Sequence, residues 1–171
     1  ALTERFRIAS DGSLSTPTLG TDNVRFGENA GNSIIADNAG VGNVLIGKNA
    51  GTAISSGDSN VAIGTDALMT EDEHANNVAI GQHALRMQNA QADAYNVAVG
   101  YYAGPELTTG KQNVLLGGHA GKFVTTGSNS VFVGFEAGKG ITGVKLTGGD
   151  NVGVGYRAGY LLQGTASRNT I

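Results

Sequence analysis

The 171-residue chain carries a formal charge of −3, 28 glycines, two prolines, 15% charged residues and neither cysteine nor tryptophan. That balance excludes disulfides and thiolate metal centres, supplies no basic field for nucleic acid and, with no apolar run of spanning length, predicts no membrane insertion. So much glycine with so little charge reads as a tightly turning, folded chain.

Residues 1–22 lack the motif that fills the rest. Arg5-Phe6-Arg7-Ile8 alternates charged and apolar side chains as a half-buried strand does, and Ser10-Asp11-Gly12-Ser13 supplies a tight turn before Leu14. An open solenoid end needs covering against edge pairing, so this stretch reads as a strand-turn connector or cap. Pro17, which has no N–H to give to a ladder, suits the junction.

Over residues 23–171 one nine-residue phrase recurs eight times, opening at Asn23, Asn43, Asn60, Asn77, Asn96, Asn113, Ser130 and Asn151. Asn77-Val78-Ala79-Ile80-Gly81-Gln82-His83-Ala84-Leu85 is representative, and successive copies start 20, 17, 17, 19, 17, 17 and 21 residues apart. Such a period signals a repeat solenoid. Asn169-Thr170-Ile171 resembles the opening of a ninth copy, so the sequence reads as a segment of a longer fibrous array.

Each phrase predicts a strand. Its second and fourth residues are always apolar, as in Val44 and Ile46 or Val78 and Ile80, and residues two apart share a face. Stacked copies would make these columns one apolar wall, expected to be the core. The third residue points to the other face and is also mostly uncharged (Leu45, Ala62, Ala79, Ala98, Leu115, Phe132, Gly153; only Arg25 is polar). A coil of 17 residues is too short to cover both faces of its own strand. The expectation is a homo-oligomer, most simply a homotrimer around one axis.

The fifth position is Gly and the eighth Ala in every copy, which predicts two sterically tight corners. The leading residues Asn23, Asn43, Asn60, Asn77, Asn96, Asn113 and Asn151 predict a side-chain amide ladder that satisfies turn carbonyls. Variable return halves follow, such as Leu107-Thr108-Thr109-Gly110. An imperfect extra phrase, Asn32 to Gly40, suggests coils built from two ancestral half-coils. Leu68 to Ala75 and Leu85 to Ala94 lack the turn glycine and predict helical turns.

The N-V-A-I-G phrase resembles the head repeats of trimeric autotransporter adhesins. It is closer still to the N-x-A-I-G-x-x-A-G arrays of bacteriophage tail fibres, and Glu4-Arg5-Phe6-Arg7-Ile8-Ala9-Ser10-Asp11-Gly12 is similar to a segment common in such fibres. The resemblance implies a trimeric, left-handed parallel β-roll or β-prism on a virion tail fibre or an extracellular surface. There it would act as a stiff spacer that attaches to a host-cell glycan or protein receptor. The adhesin repeats are shorter, which favours the phage reading over a bacterial surface adhesin.

Beside this binding role the chain offers few groups placed for other chemistry. Glu71, Asp72 and Glu73 are adjacent and cannot flank one glycosidic bond, and Asp66 or Glu136 would need partners from another copy for a glycan depolymerase. No catalytic residue, cofactor or metal site is assigned. His83 and His119 share the seventh position two repeats apart, about 10 Å along the stack, and a threefold ring of either around an axial ion stays open. His74 has no evident partner. Tyr101, Tyr102, Phe135 and Tyr156 cluster at the sixth and seventh positions of the later copies, where rings could stack on sugar faces or pad a contact between protomers.

Overall fold

A computed structural model describes residues 7–8 and 14–15 by their backbone, and residues 22–34 and 40–171 with their side chains. β1 (Arg7–Ile8) and β2 (Leu14–Ser15) form an antiparallel ladder with Arg7 opposite Ser15 and Ile8 opposite Leu14. The turn expected at residues 10–13, Pro17 and the middle of the imperfect phrase lie outside the described residues.

The second to fourth residues of each phrase form one strand. These are β3 (Val24–Phe26), β4 (Val44–Ile46), β5 (Val61–Ile63), β6 (Val78–Ile80), β7 (Val97–Val99), β8 (Val114–Leu116), β9 (Val131–Val133) and β10 (Val152–Val154). They pair in parallel, like position against like position, into an eight-stranded sheet whose order is the chain order. The fold is thus an all-β solenoid with one strand per coil. No helix occurs among the described residues. The two stretches expected to be helical are turns, because their N–H groups bond to the next coil: Leu68 to the Ala84 carbonyl, Met87 to Pro105 and Asn89 to Thr108.

The sheet faces are the reverse of the sequence expectation. The third residue points into the coil: Leu45, Ala62, Ala79, Ala98, Leu115 and Phe132 are fully buried, while the second and fourth residues lie on the outer face, half-buried or exposed. Alanine at the eighth position and an aliphatic column from the return half (Ile34, Ile54, Leu107, Val124, Leu146) close the interior. A single coil therefore does enclose a core, since corners of alanine and glycine bring the return half within reach of the strand. Arg25, the one polar third residue, caps the first coil by donating from Nε to the Ala30 carbonyl at 2.8 Å. The long spacing after Ser130 is absorbed by an excursion in which Ile141 bridges Val144, and Leu146 takes the interior place beside Val124.

The Asn ladder binds coil to coil. Each side-chain oxygen accepts the N–H of its counterpart one coil on: Asn23 from Asn43 at 2.7 Å, Asn60 from Asn77 at 3.0 Å, Asn96 from Asn113 at 2.9 Å. Amide nitrogens donate to return-turn carbonyls, Asn43 to Gly57 at 2.9 Å and Asn96 to Gly110 at 2.8 Å. Ser130 keeps the vertical bond, its Oγ accepting from the Asn151 N–H at 3.2 Å. At the fifth position glycine is required twice over. Its φ lies between 128° and 138°, and a Cβ on Gly81 would sit 2.5 Å from the Gly100 carbonyl oxygen.

Interior volume is shared between the third and ninth positions. Where the third is Leu or Phe the ninth is Gly, and a Cβ on Gly51 would lie 2.7 Å from the Leu45 side chain. Where the third is Ala62 or Ala79, the ninth is Leu68 or Leu85, buried and held at φ of 48° and 47°, a left-handed backbone that leucine takes only under compulsion. Leu85→Gly is expected to cost about 2–5 kcal/mol as a cavity, and Ala79→Leu about 1–3 kcal/mol as overpacking. The double variant recreates the Leu45–Gly51 arrangement, and denaturant unfolding should show it at least about 2 kcal/mol more stable than additivity allows.

Candidate functional site

After the fifth-position glycine the chain turns through residues six to eight, so the sixth and seventh side chains of all coils form two parallel columns on one corner. The seventh residue is left-handed in every coil, with φ from 53° at Tyr102 to 61° at His83. Asn, Asp and His tolerate this conformation best, and five of the eight seventh residues are of these types. With the backbone fixed, the column is free to vary in chemistry.

The seventh column forms a continuous side-chain ladder. Asn29 Nδ2 donates to Asn49 Oδ1 at 3.1 Å, Asn49 Nδ2 to Asp66 Oδ1 at 2.9 Å, and His83 Nδ1 stands 3.5 Å from Asp66 Oδ2. The Tyr102 ring then lies between His83 and His119, with centroids 4.5 and 5.8 Å away. Glu136 follows, taking Lys139 Nζ at 2.5 Å and Arg157 Nε at 2.7 Å. The hydrogen bond from Lys139, aided by Arg157, holds the Glu136 carboxyl below the usual carboxylate range.

The sixth column changes character along the axis, from Glu28, Lys48, Thr65 and Gln82 to Tyr101, Gly118, Phe135 and Tyr156. Tyr101, Phe135 and Tyr156 are 51%, 50% and 69% exposed. The Tyr101 ring packs edge-on to Tyr102 and His119, and the Phe135 and Tyr156 rings are nearly parallel, 9° apart, with centroids 6.1 Å apart. Gly118 leaves its place to Phe135, whose ring would lie 3.2 Å from a Cβ there. Cations flank the platform: Lys122 lies over Tyr102, and Arg157 over Tyr156 and Tyr160, each within 6 Å of the ring centroid.

Of the four aromatic residues singled out from sequence, Tyr101, Phe135 and Tyr156 therefore share one exposed strip, while Tyr102 is half-buried within the histidine stack. The seven ladder asparagines are buried and spent on backbone groups, out of reach of a ligand. Asp66 and Glu136 stand four coils apart on one column, about 19 Å along the stack. Of the three adjacent acidic residues, Glu73 is exposed and Asp72 half-buried, but Glu71 is fully buried, and His74, which has no evident partner in the sequence, places its Nδ1 3.3 Å from the Glu71 Oε1. Lys122, Arg157 and Tyr160 were not found from sequence. Arg157 and Tyr160 lie three residues apart on the last coil, and Lys122 on an earlier one, so Lys122 joins the platform only through stacking, although the fixed period could have placed Arg157 in the column of Glu136. Comparison of the chain with known protein families, curated proteins and solved structures returns no match.

Burial, then the charges of Lys122 and Lys139, push the His119 imidazole below its ordinary value, with Glu136 opposing. A depressed histidine pKa means that the unfolded chain binds the proton more readily, so stability is intact above about pH 6.5 and is lost as pH falls below it. Thermal unfolding followed from pH 7.5 to 5 is expected to show a declining midpoint. His119→Asn, which keeps a residue tolerant of the left-handed backbone but cannot titrate, should shallow that decline.

Proposed function

We propose that this chain is a rigid, non-catalytic segment of a threefold fibre on a virion or extracellular surface, and that its aromatic corner attaches to a host-cell glycan. One observation carries the reading: the outer sheet face is an unbroken double column of large apolar side chains, from Val24 and Phe26 to Val152 and Val154. None of them is buried within the single chain, and no charge interrupts them. Water-exposed monomers rarely leave so long an apolar strip uncovered. Three such sheets turned to a common axis cover one another and leave the corner columns outside, which preserves the expected homotrimer with its contact face exchanged. The same placement puts three aromatic strips on one fibre, so weak contacts to repeated sugars add through avidity. The parallel Phe135 and Tyr156 rings offer flat faces to pyranose C–H groups, and Tyr hydroxyls and Arg157 supply the polar contacts that sugars require.

Light scattering on the intact chain is expected to give three times the 17.3 kDa chain mass. Val78→Lys combined with Ile80→Lys should reduce it to one chain while the β signature of the solenoid persists. A single-chain mass for the unmodified protein would sink the threefold reading. Attachment is tested separately on immobilised bacterial surface glycans. Phe135→Ala with Tyr156→Ala should weaken retention at least about tenfold without altering the mass, and a full-strength signal from that variant would rule out the aromatic corner.

A further inference from the structure

The interior column that elsewhere holds Ile34, Ile54, Leu107, Val124 and Leu146 is broken in two adjacent coils by Glu71 and Gln88, both fully buried. Gln88 is partly accommodated, since its Oε1 accepts from Asn96 Nδ2 at 3.0 Å. Glu71 is not. Its Oε1 faces His74 Nδ1 at 3.3 Å, and Oε2, equally cut off from solvent, has no hydrogen-bond partner. A buried carboxylate with an unmet oxygen is among the costlier features a core can carry, and it persists where something of opposite charge meets it. The imidazole is a poor answer even with the backbone N–H groups of Ala90 and His74 that also bear on the carboxyl, since those carry no charge. A charge-assisted N–H···O bond closes to about 2.7–2.9 Å, and His74 leaves the second oxygen untouched.

A third donor completes the group. Asp72, half-exposed on the same turn, places a carboxylate oxygen so that one ligand atom from each of Glu71, Asp72 and His74 lies within 4.8 Å of the others. The spacing of the inner pair is informative. Two donors each about 2.0–2.1 Å from a zinc ion at a tetrahedral angle stand about 3.3 Å apart, the separation found between Glu71 Oε1 and His74 Nδ1. The turn is also anchored from behind, because the Asp72 carbonyl accepts the N–H groups of Ser55 and Gly57, and the His74 carbonyl accepts from Asn60 Nδ2 at 3.0 Å.

We propose that Glu71, Asp72 and His74 form a site for a divalent transition-metal ion, with zinc the best match. Glu71 ligates from the core, and Asp72 and His74 close over the ion from the solvent side. One imidazole and two carboxylates suit zinc over magnesium or calcium, which favour all-oxygen shells. With three protein ligands, further coordination positions are left to solvent or to a group on a neighbouring molecule. The ion neutralises the buried carboxylate and ties a turn that has lost the usual glycine to the coil interior. This site is independent of the threefold assembly and of the aromatic corner.

The test is titration calorimetry with zinc chloride alone on the chelator-treated full chain at neutral pH, with circular dichroism of each variant as a check on folding. The expected result is one saturable site per chain and a raised unfolding midpoint. Both should be lost in His74→Ala and in Glu71→Gln, the latter copying the residue that the next coil already buries at this place. His83→Asn should bind as the unmodified chain does. Absence of saturable zinc binding to the unmodified chain would overturn the proposal, as would undiminished binding in folded His74→Ala or Glu71→Gln. Transfer of the loss to His83→Asn would also overturn it, placing zinc on the corner column.

Discussion

The structure depends on the vertical hydrogen bond from one leading asparagine to the next. A coil with a single three-residue strand has little sheet with which to hold register, and the strand ladder alone could slip by a residue. The side-chain oxygen of each leading Asn accepts the N–H at the start of the next strand, and the amide nitrogen ties the same side chain to the return turn. One residue thus fixes where the strand begins and where the coil closes. The glycine four residues later works from the opposite side: it lets the next coil's backbone approach so closely that a methyl group could not be inserted. Attraction at one end of the strand and absence of bulk at the other keep like positions stacked along the sheet.

Once register is fixed, the chemistry of every column follows from its place on the coil. Inward columns are apolar or small except at Glu71 and Gln88, the outer sheet columns are apolar yet uncovered, and the corner columns are unconstrained in polarity because only their backbone is prescribed. This separation suits a fibre element. Assembly would use one face, stiffness would come from the interior, and recognition would be written on a corner whose residues can change without disturbing either. The gradient along that corner, from an amide and carboxylate ladder at Asn29 to Asp66 into stacked rings from His83 to Tyr156, gives the two halves of one chain different surfaces on a common frame.

Much of the fold was legible because each constraint repeats eight times. Strand positions, in-register pairing, the glycine corners and a column of leading asparagines follow from spacing alone. The assignment of faces did not follow. Val and Ile at the second and fourth positions are larger than the alanines at the third, and hydrophobic size alone placed them inside. The structure reverses this because the interior of a 17-residue coil is narrow: between the strand, the alanine corner and the return half there is room for Ala79 and Leu85 together, but not for two columns of valine and isoleucine. The exchange between Leu45 with Gly51 and Ala79 with Leu85 was already printed in the sequence as opposing volumes at two fixed positions. Nothing in strand periodicity connects those positions until the coil closes. The aromatic strip was visible as a cluster of residue types, whereas Glu71 looked like any charged loop residue, because burial of a turn side chain is a property of the stack and not of its neighbours in sequence.

The shared volume between third and ninth positions bears on how such an array can lengthen or shorten. Deleting or duplicating one coil leaves the backbone frame intact, since every coil offers the same edges. The interior is not so forgiving. Leu85 reaches the space above it that Gly104 leaves free, and Phe132 reaches toward Gly153, so each side chain is fitted to a particular successor. Recombination that joined a coil ending in Leu85 directly to one bearing Phe132 would preserve the repeat count and jam the core. Any lengthening or shortening of such an array would thereby be channelled toward exchange of matched blocks of coils, kept in a fixed order.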